Sequence, residues 1–230
     1  DLFLTTWHER LGGAHPKQEA VLRALSCGPV GIGDAPGATD AGLVRSMLSS
    51  DGRLLQPDRP PFPIVEKLGA PIEVYRTHRR AGGLTWTYLV ILNTTDQSQA
   101  YDVVNDLRNT DVLIWDGLAG RIADSISGTL PSGCLAYYVL VPYVAGIAPL
   151  GLRDKLVPAP VSAVQDVRSS GVLEIDVNAP GEAFAFATKG SMAVADQHGT
   201  PLPIEHDGSL WICVIPEGAT SLHVRGGDLP

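Results

Sequence analysis

The sequence predicts two textures: alternating α/β elements over residues 1–56 and an antiparallel β-sandwich over 64–230, joined by a proline-rich linker at 57–63. Three observations carry this. Helix-spaced apolar residues occur only in the first fifth of the chain. Beyond Phe62, short β-branched and aromatic runs recur between turn signals. Gly and Pro are abundant, at 25 and 18 residues, with no collagen-like period, as an architecture of many turns requires.

In order, Asp1-Leu2-Phe3-Leu4 reads as the end of a buried strand. His15-Pro16 opens a helix, with Pro at the first helical position. Ala20, Val21, Ala24 and Leu25 make its inner face, and Cys27-Gly28 ends it. Pro29–Gly33 is a short apolar strand. After the loop Asp34–Gly37, Thr39 or Asp40 caps a second helix with Leu43, Val44, Met47 and Leu48 inward. Pro57, Pro60, Pro61 and Pro63 then forbid a helix or a central strand. Strands follow at 72–78, 85–92, 100–107, 112–115, 134–141, 172–177, 183–188, 192–195, 210–215 and 221–224. The clearest alternation is Val172-Leu173-Glu174-Ile175-Asp176-Val177.

Composition excludes several classes. A net charge of −8 and a pI near 5.1 oppose a nucleic-acid partner, which needs a basic face. The adjacent pair Arg79-Arg80, beside Gly82-Gly83, reads as a solvated hairpin tip. No apolar run approaches the ~18–20 residues of a spanning helix, so no membrane partner is expected. Cys27, Cys134 and Cys213 form no CxxC pair and read as buried thiols, pointing to a reducing, cytoplasmic compartment. The histidines lack metal-ligand spacing, and neither metal nor organic cofactor is expected. Pro36 interrupts what could have been a dinucleotide loop after Gly31-Ile32-Gly33.

Four residues stand out as candidate substrate contacts. Asp34 follows a glycine-rich strand and precedes a helix, where a carboxylate can accept hydrogen bonds from sugar hydroxyls or bond backbone amides of its own turn. Trp7 can stack on a sugar ring and His8 can donate to a hydroxyl, or both pack a loop. Asp1, at the start of its strand, is the fourth. No residue is nominated as catalytic.

The segment Ser26-Cys27-Gly28-Pro29-Val30-Gly31-Ile32-Gly33-Asp34-Ala35-Pro36-Gly37 resembles the Gly-Gly-Pro-(Val/Ile)-Tyr-(Val/Ile)-Ser-Asp-x-Pro-Gly run of the raffinose synthase and alkaline α-galactosidase group of glycoside hydrolase family 36. The run from Leu43 to Leu55 is similar to the Leu-Leu-Lys-Lys-Leu-Val-Leu-Pro-Asp-Gly-Ser-x-Leu of that group. Asp1-Leu2-Phe3 is similar to its Asp-Met-Phe, and Ile147–Leu152 to its Phe-Ala-Pro-Ile-Gly-Leu. Gly31 and Gly33 stand where the family has Tyr and Ser, and Cys27 replaces its second glycine.

The resemblance implies that residues 1–56 are the last two units of a (β/α)8 barrel, followed by the sandwich. It implies a retaining reaction on an α-galactoside, with one Asp attacking the anomeric carbon and a second carboxyl serving as acid and base. Both would lie on barrel strands upstream of Asp1, so this chain would depend on the rest of the barrel and be inert alone. The expected function is therefore the C-terminal part of an α-galactosidase-like glycosidase or galactosyl transglycosidase. The alternative is a non-catalytic β-sandwich module with a carbohydrate-binding or structural role.

Overall fold

The computed structural model describes residues 2–6, 15–103 and 111–227. In chain order the elements are β1 (Leu2–Phe3), α1 (Pro16–Leu25), β2 (Gly31–Ile32), α2 (Ala41–Met47), β3 (Phe62–Pro63), β4 (Ile72–Ala81), β5 (Leu84–Asn93), β6 (Gln99–Asp102), β7 (Val112–Asp116), β8 (Arg121–Ile122) and β9 (Ser127–Leu130). They continue with β10 (Leu135–Pro142), β11 (Ile147–Leu152), β12 (Val164–Ser169), β13 (Leu173–Val177), β14 (Ala183–Thr188), β15 (Ser191–Asp196), β16 (Ile204–Asp207), β17 (Leu210–Val214) and β18 (Ser221–Gly227).

A six-stranded antiparallel sheet runs β3-β4-β5-β10-β7-β8. Two four-stranded antiparallel sheets follow, β11-β14-β17-β16 and β12-β13-β18-β15. One continuous apolar core joins all three: Trp86, Tyr88, Tyr137 and Val139 from the first, Phe184, Phe186 and Cys213 from the second, Ile175, Leu222 and Val224 from the third. β10 is buried on both faces. Its odd positions, Leu135 to Val141, enter this core. Its even positions, Ala136, Tyr138 and Leu140, enter a smaller core roofed by residues of the β6–β9 ribbon such as Tyr101 and Leu130. A strand with two dry faces loses the alternation that marks a half-buried one, which is why it reads as a plain apolar run.

Buried polar side chains of the six-stranded sheet seize the chain that links it to the others. Trp86 Nε1 donates to the Pro149 carbonyl at 2.8 Å, Tyr137 Oη to that of Leu156 at 2.5 Å, and Tyr88 Oη to that of Ala159 at 3.3 Å. Arg79 Nη2 donates to the Val164 carbonyl at 2.6 Å. Burial pushes both phenols well above their ordinary pKa, so they stay protonated donors. Two glycines permit the close approach. A Cβ on Gly82 would lie 2.0 Å from the Val167 oxygen, and one on Gly151 would lie 2.3 Å from the Pro158 oxygen. Both also hold positive φ, +54° and +111°.

The structure corrects the expected fold class. Among the described residues 46% lie in strands and 10% in helices, two of which are α-helices, and no portion of an α/β barrel is present. The antiparallel sheets are compatible with the expected sandwich. Residues 1–56 contribute one parallel pair, Leu2 opposite Gly31 and Phe3 opposite Ile32, bridged by α1. Among the described residues each strand is two residues long and pairs only with the other, whereas strands usually run ~5–6 residues. The local βαβ rhythm was legible, but closure into a barrel is not a local property. The helix ends match their signals: Pro16 opens α1, and Asp40 caps α2 by accepting from Leu43 N at 3.0 Å.

A second expectation also changes. Arg79 is not solvated at a hairpin tip; it is 7% exposed and paired with Asp58 at 3.4 Å. Residues 57–63 run along the sheet rather than free of it, with Asp58 N donating to the His78 carbonyl at 3.2 Å and Phe62 pairing with Arg76.

Tyr137→Phe orphans the buried Leu156 carbonyl and is expected to cost about 1–3 kcal/mol, read as a lower midpoint in urea. An unchanged midpoint would show that the phenol is not an anchor.

Candidate functional site

β1 and β2 run the same way, so the chain leaves both at one end, carrying Thr5 and Asp34 side by side. Gly33 N donates to the Phe3 carbonyl at 2.9 Å and prolongs the pairing to the edge of this site. Asp34 then accepts twice from one residue: Oδ1 from Thr5 N at 2.9 Å and Oδ2 from Thr5 Oγ1 at 2.5 Å. Thr5, 2% exposed, accepts from Asp40 N at 2.7 Å through the same hydroxyl. A buried hydroxyl thus ties the two strand ends to the cap of α2.

Asp34 bonds not the amides of its own turn but the amide and hydroxyl of Thr5, 29 residues away. The carboxylate is half-buried, and Ala35 and Pro36 beside it are exposed. An ionised carboxylate has about four lone-pair sites, and the bonds to Thr5 use two. Capacity remains for a hydroxyl approaching from solvent. Asp1, Trp7 and His8 lie outside the described residues.

Elsewhere the chemistry is sparse. Arg168 binds three carboxylates at once: Asp166 at 2.5 Å, Glu174 at 2.9 Å and Asp176 at 2.7 Å. That sharing holds these acids as salt-bridge partners. A cleft of about 560 Å³ opens beside them, between Gly82-Gly83-Leu84 of the β4–β5 turn and Asp166–Ser169 of β12, with Val144 at its side. Its volume lies within the ~300–1,000 Å³ of small-molecule sites. Among the described residues no group of His, Cys, Asp or Glu has the arrangement to hold a metal ion. None of the described helices is long and apolar enough to cross a membrane. Cys27, Cys134 and Cys213 are free thiols; burial pushes Cys213 up to about 11 and raises Cys27 as well.

The sequence reading passed over one surface. Arg76, His78 and Arg80 alternate along β4 and share its outer face, while Arg79 turns inward. The period-two spacing of these three basic residues was the available signal.

Thr5→Val removes the hydroxyl and leaves Asp34 Oδ2 and Asp40 N without that partner. The expected cost is about 1–3 kcal/mol by urea titration, with faster hydrogen exchange at the Asp40 amide. Exchange as slow as in the parent would show that the hydroxyl does not fasten the α2 cap.

A comparison with protein-family models gives no match for this chain, and a comparison with curated proteins gives none.

Proposed function

We propose that these residues form the non-catalytic C-terminal part of a retaining α-galactosidase-like glycosidase or galactosyl transglycosidase, whose catalytic carboxylates lie upstream of Asp1. The observation that supports it is the position of Asp34. It stands at the carboxyl end of a parallel βαβ pair, where ligands of open α/β arrangements bind. It is oriented by Thr5 through both oxygens and keeps acceptor capacity. The residues around it, from Ser26 to Gly37, are those that resemble the raffinose synthase and alkaline α-galactosidase group. In this reading Asp34 receives a hydroxyl of the galactosyl unit and performs no bond cleavage. Thr5 fixes its direction, so little side-chain entropy is lost on binding.

The second reading is a carbohydrate-binding or structural β-sandwich module. The cleft at the β4–β5 turn favours it, because its walls belong wholly to the sandwich sheets and their connections.

One titration separates the two. Amide spectra of the 230-residue chain are recorded against methyl α-galactoside. The first reading expects shifts at Gly33, Asp34 and Gly37, abolished in Asp34→Ala; the second expects them at Gly82, Gly83 and Ser169. Silence at both places overturns sugar binding by this chain. The chain alone is expected not to hydrolyse an aryl α-galactoside, and turnover would overturn the placement of the catalytic carboxylates elsewhere.

A further inference from the structure

The outer face of the six-stranded sheet is unequally covered. At the end near Val74, residues of the β6–β9 ribbon and Ile64 close over it. Towards the β4–β5 turn, β4 presents on this face Arg76, His78 and Arg80 in succession. Arg76 and Arg80 are exposed and His78 is half-buried. The β4–β5 pairing runs from Ile72 to Ala81 without a register shift, so the three side chains stay on one face. Successive members of such a row stand about 6.6–6.8 Å apart.

A third guanidinium joins from the preceding segment. Arg59 Nη2 approaches His78 Nδ1 at 3.4 Å, and its guanidinium lies over the Phe62 ring, 5.4 Å from the centroid. Phe62 is itself 55% exposed. The nearby carboxylate, Asp58, is committed to Arg79 Nη1 and the Arg80 amide. Among the described residues, the Arg76 and Arg80 side chains have no ion-pair or hydrogen-bond partner. Opposite them, β5 offers Thr87 across from His78 and Thr85 across from Arg80. His78 is held below its ordinary pKa by partial desolvation, then by Arg59 and Arg80, with Asp58 opposing and Arg76 adding to the effect.

A chain of net charge −8 therefore gathers three guanidinium groups, those of Arg59, Arg76 and Arg80, about one strand face. Arginine forks match planar oxyanions in two-point contacts. The threonine hydroxyls between them both donate and accept, which suits a ligand that carries hydroxyls as well as anionic groups. The row is short, and the overall negative charge repels a long polyanion.

We propose that this face binds a short acidic oligosaccharide, with its carboxylate or sulfate groups on Arg76 and Arg80 and its hydroxyls on Thr85 and Thr87. The choice of a saccharide rests on the carbohydrate reading above; the anion site itself does not. The site is separate from Asp34 in sequence and in elements, so either can fail without the other.

The test titrates the 230-residue chain with trigalacturonate, with a sulfated disaccharide and with neutral galactotriose, at roughly 20 and 200 mM salt. Either acidic probe is expected to shift the amides of His78, Thr85 and Thr87, to raise the His78 pKa and to bind more weakly at the higher salt. Which acidic probe binds better distinguishes uronate from sulfate. Arg76→Ala with Arg80→Ala, both exposed, is expected to weaken binding by about tenfold or more with an unchanged melting temperature. Three outcomes overturn the proposal: no shift with either acidic probe at low salt, equal binding of galactotriose, or equal binding of a short glutamate peptide. Loss of methyl α-galactoside binding with these results intact would sink only the Asp34 reading.

Discussion

The structure depends on hydrogen bonds from buried side chains of one sheet to the backbone that leads to the others. Trp86, Tyr88, Tyr137 and Arg79 all donate to carbonyls between Pro149 and Val164. That segment has β11 and β12 at its ends but little regular pairing of its own. Its carbonyls are buried, and a buried carbonyl left unpaired is costly. Large amphipathic side chains meet both needs: their rings fill the core, and their polar tips satisfy the connection. The three sheets are thereby fixed as one body rather than joined by a tether.

The N-terminal unit is held by the same kind of contact. Leu156, whose carbonyl receives Tyr137, also donates its amide to the Ser46 carbonyl at 2.9 Å. Lys155 Nζ reaches the Arg45 carbonyl at 3.2 Å and pairs with Glu182 at 3.0 Å, with both side chains largely buried. From the other side, Gln18 of α1 accepts from Leu135 N at 3.1 Å, and His15 Nε2 lies 3.3 Å from Cys134 Sγ. The apolar face of α1, Ala20 to Leu25, is part of the sandwich core. A two-residue parallel pair is too small to bury itself, and these contacts replace the neighbours that such strands normally have.

This dependence bears on function. The strand ends that carry Asp34 are positioned by the sandwich, through α1 and the chain after α2. The outer face that carries Arg76 and Arg80 belongs to the sheet whose inner face supplies the anchors. One strand, β4, alternates between the two duties: Arg79 inward toward Asp58 and Val164, its neighbours outward to solvent.

Local chemistry was written in the sequence. Pro16 and Asp40 mark helix starts because proline suits a first helical turn and a carboxylate can accept from its free amides. Paired strands from Ile72 to Asn93 follow from β-branched and aromatic content around a Gly-Gly turn. The position of Asp34 after a glycine-rich strand was equally visible. What remained hidden depends on contacts distant along the chain. The partnership of Thr5 and Asp34 spans 29 residues, and that of Arg79 and Val164 spans 85. Whether a βαβ segment closes into a barrel or lies against a sandwich is set by which strands find neighbours, and no local pattern carries that information. Sequence by itself determined where strands, turns and caps form, because those rest on adjacent residues. Only the tertiary structure decided which arginine is buried, which carbonyls need donors and which sheet the N-terminal unit leans on, because those are settled by desolvation among groups far apart in the chain.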